Sequence, residues 1–363
     1  MGKNSELSIR TKRKHMTELA AYRDQTLRKQ PKLHSLFLEL TGACNEHCLH
    51  CGSNCGEGGL KDSLSTEEIK SFLRKTAQDF DVREIRLCIT GGEPLLHPDF
   101  FEIMNYAKSL GYLWGMTSNG TLITKEVAQK LKTAGMQTVS ISVDGIGPMH
   151  DWFRQSKGSY EKTLQGIRNL LEVGFMHVQI TTVVYHKNIG QLQEMYEEFS
   201  NVGVRSWRVV NIEPIGRAKT NPELMLSPQE YRQMFDFIEE KRFAGKMEVC
   251  YGCSHYLGEE LEREVRTWYF LCNAGVYTAS IMYNGNIAAC LDIERRPELI
   301  QGNIRKDSFK DVWENKFEIY RNDFRKTGKC KDCPDYNFCA ADSFHTWDFE
   351  KMEPALCMKG ILF

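Results

Sequence analysis

The chain has 363 residues, with 47 Lys and Arg against 48 Asp and Glu, a formal net charge of −1 that excludes a global field for nucleic acid or an anionic membrane surface. Hydrophobic residues make up 41% and aromatics 11%, enough for a real core, and the length fits two domains or one large domain with an appendage. No apolar run approaches the ~20 residues of a membrane span and the start lacks a signal peptide's apolar region, so a cytoplasmic protein is expected.

Residues 1–34 hold nine Lys and Arg against Glu6, Glu18 and Asp24. A helix over 16–28, ended by Pro31, is expected. The segment reads first as a solvated, partly frayed basic arm and, functionally, as a surface for an acidic peptide. It is too short for a separate leader-binding domain.

From 35 to 248 short apolar runs alternate with amphipathic stretches. Strands are expected at 36–40, 84–89, 113–117, 138–143, 178–185 and 207–212. Helices are expected at 66–80, 100–109, 125–133, 160–173, 191–200 and 228–242. Ser65, Thr124 and Ser227 stand as N-caps, and Gly111, Gly135, Gly174 and Gly203 stand where helices stop. Six βα units with nearly continuous apolar strands imply a parallel sheet covered by helices. The fold class is therefore α/β, an open (β/α)6 partial TIM barrel, with its chemistry at the C-terminal ends of the strands.

Thirteen cysteines in an unsecreted chain point to metal sites or reduced thiols, not to a disulfide framework. Cys44, Cys48 and Cys51, spaced C-x3-C-x2-C, follow directly on the first strand. Three thiolates on so short a loop suit three corners of one [4Fe–4S] cube, with the fourth iron left open for a ligand. Cys55 keeps a zinc knuckle or a four-cysteine electron carrier in play. Gly91-Gly92-Glu93-Pro94 follows the second strand: paired glycines let backbone approach closely, and Glu93 offers a carboxylate to an ammonium group. Ser118-Asn119-Gly120-Thr121 follows the third strand, and Ser142-Val143-Asp144-Gly145 ends the fourth, with His150–Arg154 downstream. Asn119 and Asp144 are also ordinary turn formers.

These motifs together resemble the radical S-adenosylmethionine (SAM) family. The resemblance implies that the open iron holds SAM, which is reductively cleaved to a 5′-deoxyadenosyl radical that takes a hydrogen atom from substrate. It implies further that Gly91, Gly92, Glu93 and Pro94 hold the SAM amino group. Asn119, Ser142, Asp144 and Arg154 match positions serving its ribose and carboxylate. His50, at the family's usual aromatic position, stacks on or hydrogen-bonds the adenine. Glu213-Pro214-Ile215-Gly216-Arg217-Ala218 resembles a segment of the family's peptide-modifying branch, where Arg217 serves SAM, substrate or a salt bridge.

From 249 to 363 the chain is rich in cysteine. Cys272, Gly285, Cys290, then Cys330-x2-Cys333-x5-Cys339 and Cys357, resemble the SPASM extension, an α+β domain that carries auxiliary Fe–S clusters. A zinc ribbon is the bland alternative for the last four. The resemblance implies that Cys330, Cys333, Cys339 and Cys357 make a complete outer cluster. The inner set keeps Cys272 and Cys290, but Ser343 stands where the pattern has cysteine. One or two auxiliary clusters follow, depending on what completes the inner one. Cys250 and Cys253 are the candidates for that role, and otherwise for hydrogen-atom donation or simple burial. Cys88, inside the second strand, reads as core.

A radical SAM enzyme of the peptide-modifying branch is therefore expected, placing a thioether or carbon–carbon crosslink in a ribosomally made peptide. Its partners would be a peptide or protein substrate, an electron donor such as flavodoxin or ferredoxin, and a separate leader-peptide-binding protein. Alternatives are a radical epimerase or dehydrogenase of a peptide residue or sugar, a sulfatase-maturation-like enzyme, and a non-catalytic Fe–S electron carrier.

Overall fold

The computed structural model describes residues 7–56, 59, 62–242, 245–322 and 324–363. Six parallel strands stand side by side in chain order: β1 (Ser35–Glu39), β2 (Arg86–Thr90), β3 (Leu113–Ser118), β4 (Met136–Ser142), β5 (Val178–Val184) and β6 (Ser206–Asn211). The connecting helices are α2 (Thr66–Asp79), α3 (Phe100–Ser109), α4 (Lys125–Thr133), α6 (Ser159–Glu172) and α7 (Leu192–Val202), with a short α5 (Pro148–Arg154) before α6 and α8 (Pro228–Arg242) after β6. Local chemistry starts them where expected. Ser65 and Glu68 form a reciprocal capping box on α2, and Thr124 Oγ1 accepts from Val127 N at 3.2 Å on α4.

The tail adds to both edges of this sheet. β7 (Glu248–Tyr251) pairs in parallel with β6, while β8 (Thr278–Ile281) lies parallel to β1, followed by antiparallel β9 (Asn286–Ala288) and β10 (Gly302–Asn303). The result is one ten-stranded sheet, so the sequence boundary at 248/249 falls inside a continuous hydrogen-bonded layer. The open partial barrel is shown, and the Cys-rich tail is built onto it.

Alternation along the strands decides which side is core. Leu36, Leu38, Leu87, Ile89, Trp114, Val139, Ile180 and Trp207 are buried against the helices. The opposite face is smaller and more polar. Ser142, Thr181, Arg208 and Cys250 stand in register across β4 to β7 on that interior side. Cys88 is half-buried and in register with Phe37, so it shares the interior face with Phe37 and does not sit in the helix-covered core the sequence suggests.

From residue 7 onward the N-terminal segment is not a frayed arm. Helix α1 (Ile9–Tyr22) begins earlier than expected, and a wide helical turn, Arg23–Leu27, follows it. Lys12 is buried, donating to Glu260 O at 2.6 Å and pairing with Glu264 at 2.5 Å, while Arg13 pairs with Glu259 at 2.7 Å. Met16 packs with Tyr256 and Phe270. Lys12 and Arg13 are thus paired with the chain's own tail, because amphipathic burial outweighs solvation of a short helix. No helix among the described residues is long and apolar enough to cross a membrane.

Candidate active site

The cysteine loop leaves the C-terminal end of β1 and is fastened from two sides. His47 N and Leu49 N donate to Arg154 O and Phe153 O at 3.1 and 3.0 Å, tying it to the end of α5. Arg217, in the segment after β6, donates to Cys48 O at 2.7 Å, Cys55 O at 2.9 Å and Asn54 Oδ1 at 3.0 Å, and its own N–H reaches Cys51 O at 3.1 Å. Arg217 thus knits the loop. Gly216 beside it has φ +51°, and a Cβ there would lie 2.2 Å from Cys51 O.

Arg154 is buried between two carboxylates. One guanidinium nitrogen lies 2.5 Å from Asp144 Oδ2, and the other 3.5 Å from Glu46 Oε2 and 3.6 Å from Cys48 Sγ. Burial pushes the Asp144 carboxyl up, but Arg154 and the nearby histidines outweigh it and leave it below its ordinary value. Glu46, which sequence reasoning missed, also accepts from Ser159. Asp144 and Arg154, which the resemblance also offers to SAM, pair with each other beneath Cys48.

Glu93 has no exposed surface. It accepts from Ser118 Oγ at 2.9 Å, Asn119 N at 2.9 Å and Leu95 N at 3.3 Å, and burial pushes its carboxyl up to about 7. No ion pair to Glu93 occurs among the described residues. Asn119 donates to Asn45 Oδ1 at 2.8 Å, bringing the third strand's tip onto the cysteine loop. Gly91 and Gly92 serve that same loop. A Cβ on Gly91 would lie 2.4 Å from Thr41 O, and one on Gly92 would lie 2.0 Å from Ala43 O. Each glycine thus lets the tip of the second strand pack against the cysteine loop. Pro94 opens the short helical turn after Glu93. The His50 ring stacks on Phe153 with centroids 4.5 Å apart, and its buried Nδ1 has no protein partner.

A profile described as the radical SAM superfamily matches residues 38–199, and one described as an iron-sulfur cluster-binding domain, SPASM, matches 272–334. An AdoMet-dependent heme synthase of Methanosarcina barkeri is 31% identical over 319 residues, covering 83% of this chain and 88% of that protein. The chain belongs to the radical SAM superfamily. The mycofactocin maturase MftC of Mycolicibacterium smegmatis is 29% identical over 308 residues, 84% of this chain and 76% of that one. Among solved structures, Streptococcus suis SuiB bound to S-adenosylmethionine superposes with TM-score 0.73 at 16% identity, over 96% of this chain and 80% of that one. Native anSMEcpe with bound AdoMet gives 0.68 at 19%, over 86% and 90%. These two share the fold.

As a radical SAM enzyme the protein works with a [4Fe–4S] cluster, SAM and auxiliary Fe–S chemistry in its SPASM domain. The residues fit those groups. Three thiols, none in a disulfide, stand on one loop; Glu93 is a buried anion without a cation; and His50 keeps an unpartnered buried nitrogen beside Cys51. Cys55 Sγ points its thiol at Ser53 O, 3.9 Å away, and the neighbouring Cys55 side chain and Arg217 hold the Cys51 thiol below its ordinary value while the Cys55 thiol rises.

In the tail, Cys330, Cys333, Cys339 and Cys357 press on one another electrostatically, a grouped set of four. Cys272 and Cys290 likewise face each other. Cys250 lies in β7 beside Arg208, and Cys253 beyond it, 3.9 Å from Asn211 O and near Glu213 and Tyr251. The strand directs them to the barrel interior and its rim. At the missing position Ser343 Oγ donates to Ser254 O. The loop before it, Ala340 to Asp342, has φ of +48°, +62° and +64° and turns its carbonyls onto the buried Arg325 guanidinium at 2.7–3.2 Å. Where the pattern supplies a thiolate, this chain builds a guanidinium nest.

Proposed function

We propose that this chain is a radical SAM oxidoreductase whose substrate is a tetrapyrrole precursor of heme, held in the open interior of the barrel. Cys44, Cys48 and Cys51 hold the [4Fe–4S] cluster, which when bound with SAM supplies the 5′-deoxyadenosyl radical that takes a hydrogen atom from the substrate. Glu93 receives the ammonium of SAM, His50 hydrogen-bonds its adenine through Nδ1, and Ser142, half-buried at a strand tip, faces its ribose. Arg154 and Asp144 position Cys48. Cys330, Cys333, Cys339 and Cys357 hold one auxiliary cluster that accepts the electron left on the substrate, and a small electron-transfer protein supplies the reducing electron.

The observation that carries the substrate reading is the 31% identity to a heme synthase, over 83% of this chain and 88% of that protein. The interior chemistry agrees with it. Heme bears carboxylate side chains, and Arg208, half-buried on the interior face with no partner for its buried Nε, offers the matching cation. A second reading, modification of a ribosomally made peptide, is supported by the 29% identity to the mycofactocin maturase.

The test is anaerobic incubation of the cluster-loaded protein with dithionite, SAM and, separately, tetrapyrrole precursors of heme and candidate peptides. 5′-Deoxyadenosine formed together with a mass change in the tetrapyrrole is expected. A mass change confined to peptide would exchange the first reading for the second, and no 5′-deoxyadenosine under any condition would end both.

A further inference from the structure

Glu213, His255 and His345 come from three separate places: just beyond β6, just beyond β7, and the tail. One ligand atom from each lies within 4.8 Å of the other two, and no other set of three or more such groups occurs among the described residues. The Sγ atoms of an Fe–S cube belong to different irons and are spread wider, so this set is built on the scale of a single ion. His255 Nε2 lies 2.8 Å from Glu213 Oε1, and His345 Nε2 lies 2.7 Å from Glu213 Oε2. The other face of His255 is also engaged, with Nδ1 2.5 Å from Asp342 Oδ2.

A neutral imidazole carries one N–H. With that proton on Nδ1, donated to Asp342, the Nε2 lone pair points at a carboxylate oxygen. Two acceptors then face each other, and positive charge must stand between them. An extra proton on His255 supplies it, with a neutral His345 donating from Nε2, and so does a bound cation in the same place. The donor set suits the ion. Two imidazoles and one carboxylate form a facial array for divalent first-row metals, with coordination positions left open. A carboxylate behind a ligating histidine is the common outer partner that holds the ring and its tautomer, and Asp342 stands there. Asp292, exposed on the surface, faces Glu213 and His345 electrostatically and adds a further acid, with Arg208 the neighbouring cation. His255 is wholly buried, whereas Glu213 and His345 keep 8% and 12% of their side chains exposed, so the set opens on one side.

We propose that Glu213, His255 and His345 bind one divalent first-row transition-metal ion at the barrel rim, separate from the Fe–S ligands, with its open side accepting an oxygen donor such as a substrate carboxylate. Only that last clause rests on the substrate reading above.

The experiment is a Mn²⁺ titration of the full chain with its clusters loaded and oxidised, in the absence of SAM, followed by electron paramagnetic resonance of free Mn²⁺. The expected result is loss of the free-ion signal up to about one equivalent per chain. Glu213→Gln and His345→Gln should each weaken binding at least tenfold while the Fe–S absorbance is kept. A free-ion signal that appears in full from the first addition would overturn the proposal, as would either variant binding like the parent. Should Glu213→Gln fail to fold, the parent titration and His345→Gln decide alone. 5′-Deoxyadenosine formation is measured separately without Mn²⁺, so failure of this site and failure of the SAM chemistry read out independently.

Discussion

Arg154 touches Cys48 and Asp144 at once, 3.6 Å from the thiol sulfur with one guanidinium nitrogen and 2.5 Å from the carboxylate with the other. The pair of contacts makes a buried arginine the underside of the cysteine loop. Arg154→Gln strands Asp144 and Glu46 as uncompensated buried acids, a loss of about 3–5 kcal/mol by the general cost of breaking a buried pair. The expected outcome is a protein that takes up less than half the parent's iron at the loop and melts at lower temperature, read by iron analysis and calorimetry. Parent-like values for both would remove Arg154 from this role.

Glu93→Gln keeps shape but removes the buried carboxyl proposed to receive the ammonium of SAM. SAM affinity should fall tenfold or more, the equivalent of about 1.4 kcal/mol, while cluster content stays at the parent level. Equilibrium dialysis with SAM under anaerobic conditions measures it.

Gly92→Ala places a methyl group 2.0 Å from Ala43 O and 3.0 Å from the Cys44 side chain. Because the obstacle is backbone, the cysteine loop must shift. The variant should fold with its auxiliary cluster intact yet yield no 5′-deoxyadenosine, whereas Gly147→Ala, with nothing within 4 Å, leaves the loop unclashed and pays only its own backbone strain at φ +53°.

The guanidinium nest at Ala340–Asp342 implies two four-iron clusters, about eight iron atoms per chain. Cys272→Ala/Cys290→Ala should keep that number, and Cys333→Ala should lose about four. A parent protein with about twelve would mean that the inner site is a cluster after all.

The strands and helices were legible because their signals are local. Short apolar runs, Ser65 before α2 and Thr124 before α4 all act within a few residues. The cysteine loop was legible for the same reason. What joins distant segments was not. β8 meets β1 across some 240 residues, and neither strand's pattern names its neighbour. Arg217 gave no hint that it would grip Cys48 O, nor did Glu46, His255 and His345 announce their partners. Gly91 and Gly92 were read correctly as a close approach, but that Thr41 O and Ala43 O would be the chain atoms they meet was not foreseen, since a motif shows that backbone comes near something without naming it. The basic arm was misread because its partner, the acidic run at 259–264, lies far along the chain.

The seat of β1 between β2 and β8 also orders events at the ribosome. The strand that carries the cysteine loop emerges early, yet one of its edges stays without hydrogen-bonding partners until residue 281 has been made. A nascent chain therefore holds an open flank for most of its synthesis, where another strand can dock wrongly. Loading of iron and sulfide into a finished scaffold must then wait for translation of the tail, and truncations that spare every residue of the barrel should still accumulate as aggregates.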